Sequence, residues 1–256
     1  MNRTAPPIFS DARDPDLAAT TADESVARRD RQRHYDVSFL APNNDLVDMR
    51  VKARALPSIE KAFAALSHSA IVQTDRGHLA VADVWPGDKV RLSDGQFETL
   101  LWRGSIVLTP NPAGSPGQDT AMTRITADTL GPNRPDGDLL LGPSARLLHR
   151  SPAIKKLTGK PQAFIPAADF VDGNTVLSVQ PVRPTPVYQF GFDRHTAVNV
   201  GGLAVETLYP GSPFNLGLRG DALAEYLSLF PHKASFDAFG LAAFPPLRLR
   251  DLDLLS

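Results

Sequence analysis

From about residue 55 onward the chain consists of short apolar runs separated by turn residues. Residues 70–74 run into Asp75-Arg76-Gly77, residues 78–84 into Pro86-Gly87-Asp88, residues 89–92 into Ser93-Asp94-Gly95, and residues 98–102 into Arg103-Gly104. Runs of four to seven residues bounded by Gly and Asp predict strands of an all-β fold. After a proline- and glycine-rich loop at 110–119, further strands are predicted at 139–141, 145–149, 163–166, 175–182 and 187–192. The last predicted pair, 196–200 and 203–207, is joined by Gly201-Gly202. This is a hairpin signal, because primed turns need positive φ.

Two segments carry a helical pattern. Residues 58–65 read as a short helix or turn with Ser58 as its N-cap. Residues 221–230 place apolar groups at helical spacing behind the acidic Asp221, and Pro231 ends the run. Residues 1–54 are different: polar, punctuated by Pro6, Pro7 and Pro15, with scattered apolar groups. They are expected to form a flexible arm, too poor in apolar surface to offset its ordering entropy. Within it, Arg28, Arg29, Arg31 and Arg33 read as a solvated helix face, with Asp30 and Asp36 diluting the charge.

Composition narrows the chemistry. The 256 residues hold 27 Lys plus Arg against 28 Asp plus Glu, a formal charge of −1, so nothing favours a nucleic-acid partner. Cysteine is absent, which removes disulfides, thiolate metal sites and a cysteine nucleophile. The histidines at 34, 68, 78, 149, 195 and 232 share no metal-ligand spacing, and no cofactor motif is present, so neither metal nor cofactor is expected. The first residues lack the apolar core of a signal peptide, and no apolar run is long enough for a membrane span. A cytoplasmic location is therefore the default, with export by other routes left open. Gly142-Pro143-Ser144-Ala145-Arg146 contains a serine but ends in Arg, where a nucleophile elbow needs a small residue.

A series of short motifs then follows a recognisable order. Thr74-Asp75-Arg76-Gly77 closes a strand, and Asp83 precedes Pro86-Gly87-Asp88. Leu101-Trp102-Arg103-Gly104 comes next, then Gly142-Pro143-Ser144-Ala145-Arg146 and Ile165-Pro166-Ala167-Ala168-Asp169-Phe170-Val171-Asp172-Gly173. Phe192-Asp193-Arg194-His195 follows, and after it Gly202 and Glu206-Thr207. This order, over roughly residues 55–232, resembles the bacterial Hint domains of the Hedgehog/intein autoprocessing superfamily. The resemblance implies an all-β horseshoe fold of many short strands. It also implies a chemistry in which a Cys or Ser side chain attacks the carbonyl before it, helped by a His and by a further His or Asp.

Position by position, the resemblance puts Ala65 where the nucleophile belongs. Ala145 stands in place of the assisting His, Gly142 in place of a Ser or Thr, and Gln189 in place of a further His or Asp. Asp193 and His195 keep ionisable groups. They are read as structural, sharing one strand face at i and i+2 and bonding turn backbone. The expectation is therefore a domain that has lost self-cleavage and splicing and is not an enzyme. It would be a structural or protein-binding module, with Ala65, Ala145, Gln189 and His195 converging on one cleft. Two alternatives stand beside it: self-processing through Ser67 or Ser69, and an unrelated enzyme whose site emerges only in three dimensions. The expected organisation is an arm at 1–54, a Hint-like β domain at 55–220 and a helical extension at 221–256.

Overall fold

A computed structural model describes residues 31–110 and 120–253. Its strands are β1 (Gln32–Leu40), β2 (Leu46–Arg54), β3 (Leu66–Ser67), β4 (Ile71–Thr74), β5 (Gly77–Ala80), β6 (Lys89–Arg91), β7 (Phe97–Thr99) and β8 (Trp102–Leu108). They continue with β9 (Met122–Ile125), β10 (Leu139–Leu141), β11 (Arg146–Arg150), β12 (Gln162–Pro166), β13 (Val176–Val179), β14 (Thr185–Gly191), β15 (Ala197–Val200) and β16 (Leu203–Glu206). One sheet runs β13-β9-β10-β3-β14-β8-β1-β2. The other runs β12-β11-β16-β15-β4-β6-β7, with β5 pairing β4. All the strand pairs within them are antiparallel, so the all-β expectation holds. The hairpin β15–β16 turns through Gly201 (φ 52°) and Gly202 (φ 80°), the left-handed pair its sequence predicts.

Several local expectations are corrected. The described part of the presumed arm is a hairpin: β1 and β2 pair without interruption from Gln32↔Arg54 to Leu40↔Leu46. β1 then joins β8, so Tyr35, Val37 and Ala53 are buried. Arg33 lies on this strand, not on a helix face, and pairs with Glu60. Residues 1–30, including Arg28 and Arg29, the loop residues 111–119 and the final 254–256 lie outside the described residues.

The early helix spans Pro57–Glu60 and passes into a 3₁₀ turn over Lys61–Phe63, with Leu56 and not Ser58 at its N-cap. Trp102 opens the long strand β8 where a strand end was expected, because Trp102 to Leu108 pair with β14. A helix at Pro152–Thr158, capped by Ser151, had no clear apolar period to announce it. The C-terminal extension is only partly helical. After the helix Asp221–Ser228 comes a 3₁₀ turn at Phe236–Phe239. An extended stretch then bridges Phe164 through Pro246, and the helix Arg250–Asp253 follows.

Among the described residues, two large apolar clusters and two smaller ones hold the fold. One large cluster joins Ala65, Leu66, Leu141, Ala145, Phe190 and Val198 between the sheets. The other large one binds the N-terminal hairpin to the C-terminal extension around Trp102. There Phe63 lies 4.8 Å from Tyr35 and 5.3 Å from Trp102, and Phe230 lies 5.0 Å from Trp102. The Trp102 indole N–H donates to the Leu229 carbonyl at 2.9 Å, giving the buried ring its polar partner. The segments on either side of the central strands are thus built into one core.

Candidate functional site

Leu66 and Ser67 form the two-residue strand β3, which crosses between β10 and β14. This crossing fixes the residues just before it. The Ala65 N–H donates to the Tyr188 carbonyl at 3.0 Å, and the Ala65 carbonyl accepts from the Gly142 N–H at 2.8 Å. The Ala64 carbonyl accepts from the Ser144 N–H at 3.0 Å. The approach is close enough to require glycine at 142: a Cβ there would sit 2.2 Å from the Ala64 oxygen and 3.2 Å from the Ala65 carbonyl carbon. Ala145 follows one residue after Ser144, its N–H donating to the Gly142 carbonyl at 3.1 Å and its own carbonyl accepting from Ala167 at 2.9 Å.

Ala65, Gly142 and Ala145 therefore meet, with Gln189 adjoining through its neighbour Tyr188. They do not line a cleft. The Ala65 and Ala145 methyls are buried in the inter-sheet core. Gln189 is also buried, and its Oε1 accepts from the following Phe190 N–H at 2.9 Å. Neither methyl can move a proton, and the Gln189 amide oxygen is engaged by backbone. The Ser144 hydroxyl is buried without a hydrogen-bond partner, the one unsatisfied side-chain group beside the Ala64 carbonyl's donor.

His195 has a separate set of partners, although Glu206 beside it also lies 3.6 Å from the Nε of Arg146, the residue after Ala145. Its Nδ1 accepts from the Ala243 N–H at 3.1 Å, which places the ring proton on Nε2. Nε2 lies 3.2 Å from Glu206 Oε1, off the line of a formed hydrogen bond. The ring stacks on Tyr209 at 4.4 Å and lies 5.1 Å from Phe164. With both nitrogens turned inward and its side chain 1% exposed, His195 has no opening to a substrate. It fastens the extended stretch after Phe239 to the sheet.

Asp193 is no partner to it. Residues 192–196 lie between β14 and β15 with a bend at Asp193 and Arg194, so the two side chains are not on one strand face. Asp193 is exposed, and its carbonyl accepts from Lys233 Nζ at 2.6 Å. The carboxylate beside His195 is Glu206, present in the sequence motif but given no role from sequence.

Ser67 Oγ lies 3.3 Å from Ser69 Oγ, and among the described residues no hydrogen bond joins either hydroxyl to an imidazole or carboxylate. Ser67 is fully buried and Ser69 exposed. Among the described residues no helix is long and apolar enough to cross a membrane.

Comparison with known proteins bears on this geometry. A family model described as Hint domain matches residues 64–212, opening one residue before Ala65. The crystal structure of the MchDnaB-1 intein is similar at 14% identity and a TM-score of 0.33, over 56% of this chain and 99% of that one. That of a variant gp41-1 intein is similar at 12% identity and a TM-score of 0.29, over 55% of this chain and 97% of that one. No curated protein matches the chain.

Proposed function

The chain belongs to the Hint domain family, and from that membership we propose that it is a member without self-cleavage or splicing, serving as a structural or protein-binding module. One observation carries the reading: Ala65, the residue that the resemblance puts in the nucleophile's place, presents only a methyl, buried in the core. An acyl shift starts by adding a side-chain oxygen or sulfur to the preceding carbonyl, and a methyl has neither.

The surrounding groups support the same reading. The departing amide nitrogen would be that of Ala65, and its N–H is bound to the Tyr188 carbonyl, which can accept a hydrogen bond but cannot supply a proton. Position 145, where an imidazole would assist, offers a methyl. Positioned acid-base help is worth roughly 10² to 10⁴ in rate, and it is missing here as well as the nucleophile. The serine alternative has less support, since the two hydroxyls contact each other and, among the described residues, no hydrogen bond joins either to an imidazole or a carboxylate.

Intact mass tests this. Purified protein held for days at neutral pH, with or without dithiothreitol or hydroxylamine, keeps its full mass. Fragments beginning at Ser67 or Ser69, and lost when that serine becomes Ala, would overturn the proposal and establish self-processing. A double variant, Ala65→Cys with Ala145→His, asks whether the scaffold still orients the peptide: thiol-dependent cleavage before residue 65 would show that only the reacting groups were lost.

A further inference from the structure

Strand β2 is the outer edge of its sheet, and its nine residues carry neither a proline nor a bulge. Such an edge is a template for another strand unless something blocks it. The hydrogen-bond phase shows which groups are free. Ala55 N–H donates to Arg31 and Ala41 N–H to Asp45, so odd-numbered positions of β2 bond inward to β1. The even-numbered ones face out, because the two kinds of pair alternate in an antiparallel ladder. At one end Glu225 occupies the edge: the Arg54 N–H donates to its Oε1 at 2.8 Å. Among the described residues, the outward N–H and C=O groups of Asp48, Arg50 and Lys52 have no such partner.

The sequence of this edge is complementary to itself. Reversed about Arg50, the run Asp48-Met49-Arg50-Val51-Lys52 places Asp48 against Lys52, and Lys52 against Asp48. On the other face it places Met49, 37% exposed, against Val51. The central like-charge pair is muted, because each Arg50 is already engaged by Asp36 of its own chain at 2.6 and 3.2 Å. An unrelated strand would need its own acid and base at matching positions, whereas a second copy of this chain brings both.

We propose that β2 pairs antiparallel with β2 of a second copy, about a two-fold axis at Arg50, making one continuous sheet across a homodimer. Each of the opposed pairs 48:52, 50:50 and 52:48 exchanges both main-chain bonds. Cross-strand Asp–Lys pairs fix the register. The proposal does not depend on whether self-cleavage is lost.

Sedimentation velocity over a wide concentration range tests it with the full chain. The wild type shows a concentration-dependent monomer–dimer equilibrium that weakens with salt. Asp48→Lys, or Lys52→Asp alone, sets like charges opposite each other at two places and raises the dissociation constant roughly ten-fold or more. The double exchange D48K with K52D restores opposite pairs and returns it to near the wild-type value. Arg50→Pro removes an outward N–H while sparing every bond to β1, a position an edge strand tolerates, and gives a monomer. Near-UV circular dichroism confirms that each variant is folded, and the charge exchange suffices if Arg50→Pro is not. A wild type that is monomeric at every concentration overturns the proposal, as would be the case if residues 1–30 or another protein's strand held this edge. So does a dimer indifferent to the single charge changes, or one that the double exchange fails to restore.

Discussion

The Ser144 N–H donates to the Ala64 carbonyl at 3.0 Å, so the carbonyl that a nucleophile at residue 65 would attack is already held by a main-chain donor. A donor so placed polarises a carbonyl when a nucleophile is present. Under the proposed reading, with a methyl at Ala65, the same bond fastens β3 to the loop before β11.

That fastening makes Gly142 a sensitive position. A methyl there would meet the Ala64 oxygen at 2.2 Å, and backbone on both sides leaves little room to yield. Gly142→Ala is expected to lower unfolding free energy by about 1–3 kcal/mol or more, read from the urea midpoint. An unchanged midpoint would mean that the crossing is looser than described.

The shared aromatic core predicts a coupled loss. Phe63 touches Tyr35 of the N-terminal hairpin, Trp102 of the central sheet and Phe230 of the tail. Phe63→Ala should cost about 3–5 kcal/mol. It should also raise amide exchange in residues 32–54 and 221–230 together, where a purely local role would raise it in one alone. In the wild type, limited proteolysis should find no early cut within 32–54.

A third expectation concerns acid. His232 stacks on Trp102 at 5.8 Å, both ring nitrogens are buried without hydrogen-bond partners, and burial, aided by the neighbouring Lys233, pushes its pKa down to about 3 from 6.5. The unfolded chain therefore binds a proton that the folded one refuses. Stability from this group is full above about pH 6.5 and falls as pH drops from there towards 3. The loss should be on the order of 2 kcal/mol between about pH 7.5 and about pH 5. His232→Phe should flatten that slope in denaturant titrations; an equal slope in the variant would assign the acid sensitivity elsewhere.

Asp172 acts in the opposite sense. Its Oδ1 accepts from the N–H groups of Asn174, Thr175 and Val176, and its Oδ2 from the Thr175 hydroxyl, which holds the carboxyl well below its ordinary range. The stability it supplies is present above the ordinary carboxylate pKa and is lost as pH falls through the depressed one. Asp172→Ala should lower the thermal midpoint at neutral pH and Asp172→Asn less, since the amide oxygen can still accept. Equal midpoints for the two variants would argue against a role as acceptor.

The sequence by itself determined the β-rich character, the Gly201-Gly202 hairpin and the chemical fact that residue 65 carries no nucleophile. Each rests on local information: turn residues that tolerate positive φ, apolar runs of strand length, and the atoms of one side chain. Tyr35, Val37 and Phe39 alternate with polar neighbours in the manner of a half-buried strand. That signal was outweighed by the polarity of the 54-residue stretch as a whole, because an edge hairpin buries only one of its faces. Only the tertiary structure decided the partners. His195 is matched to Glu206 and Ala243, 11 and 48 residues away, not to Asp193 two residues before it. Ala64 meets Ser144 across 80 residues. Neither distance leaves a mark in local spacing, because strand order in a sheet is set by which apolar faces bury each other once the chain has closed.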